Sequence, residues 1–169
     1  MIMRNSLKLL AGCVAMFVGR ASTTVTAAED RYIRVDADYF AQTLVAHVIS
    51  VYPEIITFSI HAIPRGAKER AVIASSFGKI GRVDAGDTLK VFETNEPKIW
   101  DLRETAREGK LECVVPLWAK SGEPIGVLGF AFKYKAGDDS AEFLRKAIRI
   151  RDELREKIVD VDDLFKPER

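Results

Sequence analysis

The stretch Val115-Pro116-Leu117-Trp118-Ala119-Lys120-Ser121-Gly122-Glu123-Pro124-Ile125-Gly126-Val127-Leu128-Gly129 decides how the rest of the chain is read. Apolar residues fill both of its ends, and a polar segment, Lys120 to Pro124, separates them. Gly122 supplies the backbone freedom that a tight turn asks for. The pattern predicts a hairpin, with strands over 110–119 and 125–134. Alternation puts Val114, Pro116 and Trp118 on one face of the outgoing strand, and Cys113, Val115 and Leu117 on the other. On the return strand Val127, Gly129 and Ala131 share one face, while Leu128, Phe130 and Phe132 share the opposite one. The large residues suit packing under a helix. The small ones leave room against the sheet, for a ligand or for a close-packed loop.

Working outward toward the N-terminus, residues 54–63 and 70–77 read as two strands rich in β-branched and aromatic side chains, joined through the turn signal Pro64-Arg65-Gly66. Before them, 36–52 reads as a helix with Asp36 as candidate N-cap and Pro53 as its stop. Phe40, Leu44, His47, Val48 and Val51 form its apolar stripe, which makes His47 a packed histidine. Between the strands and the hairpin, Gly78, Gly81 and Gly86 punctuate a weaker pattern. Asp87 is placed to cap a short helix through Phe92 that ends near Asn95 and Pro97, and 98–103 reads as a short edge strand. Beyond the hairpin, 138–160 reads as a long helix, with Asp139 and Glu142 at capping-box spacing. Phe143, Ala147, Ile150, Leu154, Ile158 and Val161 give it a narrow stripe, and Arg145, Lys146, Arg149, Arg151 and their acidic neighbours a solvated side. Adjacent strands flanked by helices predict an α+β domain: an antiparallel sheet of about five strands with N- and C-terminal helices.

Residues 1–27 are a different material. Arg4 and Lys8 precede an apolar run of 11 residues, 9–19, and small residues follow to Ala27 and Ala28. This is the layout of a secretory signal, with cleavage near Ala27 or Ala28, and the run is short of the about 20 residues that span a bilayer. Leu10-Ala11-Gly12-Cys13 also matches a lipobox, which makes lipidation at Cys13 the minority alternative. A periplasmic or secreted protein is expected, one that meets the membrane only during export.

Of the 169 residues, 47% are hydrophobic and 30% charged, ordinary values for a soluble fold, and 26 Lys+Arg against 25 Asp+Glu leave a net charge of +1. Cleavage removes Arg4, Lys8 and Arg20 from those 26 and no acid, so 23 basic and 25 acidic residues remain, a net of −2. Nucleic acid is not an expected partner of such a chain. Two cysteines exclude a disulfide scaffold, and after cleavage Cys113 stands alone as a small hydrophobe in a strand. Neither Gly-x-Ser-x-Gly nor His-Glu-x-x-His is present, and Gly78-Lys79-Ile80-Gly81 lacks P-loop spacing. No metal and no cofactor are expected. Ser75 and Ser76 are candidate nucleophiles only if His61 on the neighbouring strand serves as their base.

The hairpin resembles that of extracytoplasmic PAS-like sensor domains of the Cache or PDC family. These carry a Val-Pro-Leu or Val-Pro-Ile strand, a glycine turn and an Ile-Gly-Val-Leu-Gly return. The resemblance covers about residues 36–135 and implies a single PAS-like domain over 28–169, ending in the helix at 138–160. It implies a small-molecule ligand, with Ser75, Trp100, Arg103, Val114, Trp118, Gly129 and Ala131 as candidate contacts. In members similar to citrate and dicarboxylate sensors, basic residues stand two and four positions before the Pro-Leu pair. Here those positions hold Val114 and Glu112, which leaves Arg70, Lys98 and Arg103 as anion candidates. The expected function is an exported sensor-like binding domain without its own transmembrane or output module, and not an enzyme. The alternatives are an interaction module that docks on a membrane partner, or pairs as a homodimer, through its sheet edge or final helix, and a small envelope enzyme. The mark of the enzyme is a pocket lined by two acids, such as Glu112 and Asp101, or by an acid and His61.

Overall fold

The quoted hairpin sits at the centre of the sheet. In the computed structural model, which describes residues 31–36, 39–100 and 109–167, α1 (Phe40–Val51) leads into β1 (Ile55–Ala62) and β2 (Ala71–Ser75). Helix α2 (Gly86–Thr94) and the short β3 (Lys98–Ile99) follow, then β4 (Lys110–Trp118) and β5 (Pro124–Lys133), which form the hairpin. Helix α3 (Ser140–Arg155) and a 3-10 turn (Val161–Phe165) complete the order. The strands lie in the order β2-β1-β5-β4-β3, and every pairing is antiparallel. The expected α+β class and five-stranded antiparallel sheet are present. Residues 1–27, which read as a secretory signal and hold Cys13, lie outside the described residues, as do Asp101 and Arg103. No helix among the described residues is long and apolar enough to cross a membrane.

The two faces of the sheet are unequal, as the alternation of large and small side chains requires. One face carries Phe58, Ile60, Leu111, Leu117, Leu128 and Phe132, and packs under α1, α3 and the 3-10 turn. On the other, α2 sets Val91 on Val114 and Val127, with Phe92 and Trp100 at the margin.

Several local expectations are corrected. Helix α1 begins after Tyr39, not at Asp36, whose carboxylate instead accepts from the Tyr39 hydroxyl at 3.0 Å. Its buried stripe is Ala41, Leu44, Val45 and Val48, so His47 and Val51 face solvent. Gln42 fixes that rotation by bonding both backbone groups of Ser75, at 3.1 and 3.2 Å. In α2 the cap position is Ala85, and Asp87 sits in the first turn, 2.6 Å from Lys98 Nζ. Arg151 of α3, read as solvated, is 6% exposed. Its Nη1 donates to the Pro116 carbonyl at 3.2 Å, and its guanidinium lies 4.3 Å from the Trp118 ring centre. The β4–β5 register shifts between Leu117 and Trp118, whose partners are Gly126 and Pro124, so the extra residue is Ile125 of β5, which joins the helix-covered core. Trp118 donates from its indole N–H to Asn95 Oδ1 at the end of α2, at 3.3 Å.

Two further segments join the fold. Beyond α3, Leu164 and Phe165 are buried, and Phe40 N–H donates to the Lys166 carbonyl at 2.9 Å. Beside β2, residues 81–84 run as an added edge: Val72 N–H donates to Arg82 O at 2.9 Å and Asp84 N–H to Arg70 O at 2.9 Å. The outer side of that edge pairs with residues 31–33 through Ile33 N–H to Gly81 O and Val83 N–H to Arg31 O, both 2.8 Å.

Candidate functional site

Ser59 and His61 stand two residues apart on β1 and therefore point to the same face of the sheet. That face is the one carrying the small residues of β5: Gly129 lies opposite Ser59, and Val127 opposite His61. A Cβ at position 129 would come within 2.7 Å of Ser59 Oγ and 3.6 Å of His61 Nε2. The missing side chain gives the serine its place beside the imidazole, where Ser59 Oγ is 2.9 Å from His61 Nε2. On the other side of the ring, His61 Nδ1 is 2.5 Å from Asp84 Oδ1. Asp84 comes from the added edge at 81–84, whose pairing with β2 carries it to β1.

The three side chains form an ordered relay. A carboxylate only accepts, so in the neutral ring Nδ1 carries the proton to Asp84, and Nε2 is left to accept from the Ser59 hydroxyl. All three are shielded: Ser59 is 4% and His61 6% exposed, and the Asp84 side chain 2%. Behind Asp84, Arg70 lies flat over the Phe92 ring, 3.3 Å from its centre. Burial holds the Arg70 guanidinium below its ordinary value, and the negative charges of Asp84 and Glu93 oppose that effect.

Ser59 and His61 open onto a cavity of about 360 Å³. Thr57, Ser59, Gly129 and Ala131 form its floor, Phe77, Trp100 and Val114 its apolar walls, and Lys79, Arg82, Lys110 and Glu112 its charged lining. Lys110 Nζ pairs with Glu112 Oε1 at 2.7 Å. Among the described residues, this lining holds three cations and one carboxylate. No group of three His, Cys, Asp or Glu side chains among the described residues is arranged to hold a metal ion.

Of the candidates read from the sequence, Trp100, Val114, Gly129 and Ala131 line this cavity. Ser75 and Trp118 do not. Ser75 is buried on β2, where its Oγ accepts from Phe77 N–H at 3.1 Å, and Trp118 lies against Arg151. The anion candidates are also displaced: Arg70 is stacked on Phe92, and Lys98 is paired with Asp87. Ser76, the other serine considered, accepts from Phe58 N–H at 2.9 Å. The serine that meets His61 is Ser59, which the same two-residue alternation would have found. Lys110 was legible by the same rule, two and four positions before Glu112 and Val114 turn to the same face. Asp84 carried no such signal, because it lies outside any periodic element. Cys113 packs on the helix-covered face, and burial pushes its thiol up to about 12, so it is a neutral core residue at physiological pH.

No family model matches the sequence, and no curated protein resembles it closely enough to count as a relative. Solved structures do align with it. A type II free methionine-R-sulfoxide reductase from Thermoplasma acidophilum matches 73% of this chain and 91% of its own, with a TM-score of 0.53 and 18% identity. The GAF domain of a two-component sensor histidine kinase from Bacillus halodurans matches 71% and 94%, with a TM-score of 0.51 and 14% identity. A protein from Burkholderia vietnamiensis described as a GAF sensor matches 73% and 76%, with a TM-score of 0.52 and 17% identity. The fold is similar to that of GAF domains. The PAS-like architecture expected from the hairpin is thus present, and this fold is shared by sensor domains and by an enzyme.

Proposed function

We propose that this protein is a small-molecule-binding domain of the sensor-like kind, which holds an anionic ligand with a flat or apolar part against its sheet. The observation that carries this reading is the cavity over Gly129 and Ala131. Its volume lies within the range of small-ligand sites, its lining among the described residues holds more cations than carboxylates, and Trp100 supplies a flat wall. The exported setting belongs to the proposal: the signal-like residues 1–27 and the likeness of the hairpin to Cache and PDC domains support a periplasmic or secreted location.

The test is a thermal-shift screen of the chain against small carboxylates and phosphates, run beside Ala131→Phe, which fills the cavity floor. A ligand at 100 times its Kd adds about 2.7 kcal/mol. Hits on the native chain that vanish in Ala131→Phe are expected. A screen without hits, or hits that survive in the filled variant, would overturn the reading.

A further inference from the structure

We infer that Ser59, His61 and Asp84 form a nucleophile-and-base relay that hydrolyses small carboxylic esters bound in the cavity. The inference rests on the cavity being a ligand site and adds a reaction to it. Three observations carry it. The serine, the imidazole and the carboxylate meet in series at 2.9 and 2.5 Å, in the order that nucleophilic catalysis uses. Ser59 and His61 both line the cavity, whereas a histidine serving only the core has no need of an open face. The geometry is also built from separate devices: a glycine opposite the serine, and an added sheet edge that delivers the acid.

The step balances within these groups and one water. Ser59 Oγ bonds to the ester carbonyl carbon as its proton passes to His61 Nε2, and the C=O pair moves onto oxygen. The C=O re-forms, the C–O bond to the alcohol breaks, and the leaving oxygen takes the proton from Nε2. The acyl group is now on Ser59. Water then gives a proton to Nε2 while its oxygen bonds to the acyl carbon. The bond to Ser59 Oγ breaks, and Oγ recovers the proton. Acid and alcohol leave, and no oxidant or reductant is needed. Asp84 is a positioning residue: it holds the ring with Nε2 toward Ser59 and balances the imidazolium. Lys79 and Arg82 line the same cavity, and positive charge there favours a developing oxyanion. The substrate class that fits is an ester whose acyl or alcohol part carries a negative group.

The probes are a fluorophosphonate, with the labelled peptide mapped by mass spectrometry, and 4-nitrophenyl acetate. Labelling of the native chain at Ser59 is expected, abolished in Ser59→Ala. Esterase activity is expected to fall at least about 100-fold in Ser59→Ala and in His61→Asn. In Asp84→Asn a fall in rate should come with a displaced pH profile, which a merely structural role would not produce. Mapping on the native chain does not depend on any variant folding. Absence of label at Ser59, or a Ser59→Ala chain that hydrolyses as fast as the native one, would overturn the relay. If ligands from the screen still bind in that case, the binding reading stands and only the reaction is lost. Labelling at Ser59 without any ligand hit would do the reverse.

Discussion

At Gly129 an added Cβ would press on Ser59 Oγ, the end of a side chain that can rotate away, whereas at Gly126 it would stand 2.1 Å from the His61 carbonyl oxygen, which is backbone. Gly129→Ala is therefore expected to fold, to cost about 1–3 kcal/mol in a urea titration, and to break the Ser59–His61 contact. Gly126→Ala should cost clearly more, and equal costs would contradict the distinction. Alternation alone marked Gly129 and Ala131 as the open part of the sheet, because period two is a property of any strand. It also applied to Ser59 and His61, but Ser75 and Ser76 on the partner strand drew the nucleophile role instead. Asp163 offers a pH test. Its carboxyl is held below the ordinary carboxylate range, first by the Lys166 ammonium and then by Val159 N–H, which donates at 2.6 Å. A group lowered on folding stabilises above its unfolded value of about 4 and loses that contribution as pH falls below it toward the folded value. Asp163→Ala should cost about 1–3 kcal/mol at pH 7. The difference from the native chain should shrink on denaturation at pH 3, and a gap that widens in acid would refute the sign.

Elements were legible where one periodicity ran unbroken, as in β4, β5 and the stripe of α3. They were misread where a single polar contact reset the phase. Gln42 turned α1 by about one position. Arg151 shows the same limit, since its charge placed it on the solvated side although its fork bonds the Pro116 carbonyl and covers Trp118. Lysine lacks that fork. Arg151→Lys is expected to cost about 1–3 kcal/mol by urea unfolding, while Arg149→Lys on the exposed face should stay within about 0.5 kcal/mol. Equal behaviour of the two variants would show that the buried guanidinium contributes nothing.

For the molecule as a whole, the final helix and the turn after it are part of the core. Ala147, Ile150, Leu154, Ile158, Leu164 and Phe165 all belong to the main apolar cluster. Leu154→Ala alone should cost about 2–5 kcal/mol, so a chain lacking residues 138–169 is expected to give no cooperative unfolding transition by circular dichroism. A truncated chain that unfolds cooperatively would overturn this. The class and the sheet were readable from the order of strands and helices. The site was readable only in part, because it depends on non-local delivery: the loop between β2 and α2 supplies Asp84, Arg82 and Lys79.

The pairing of residues 31–33 with residues 81–84 ties one end of the described fold to the relay. Residues 31–33 are largely exposed and are held at the sheet edge by backbone hydrogen bonds, so they open more cheaply than the core. Here each opening of the 31–33 rung loosens the rail that carries Asp84, so the imidazole would lose its anchor before the core felt any change. Heat or mild denaturant should therefore silence the serine at conditions where the helices are still intact. Inactivation and unfolding would then be two separate events, with the first reporting on three residues at the margin.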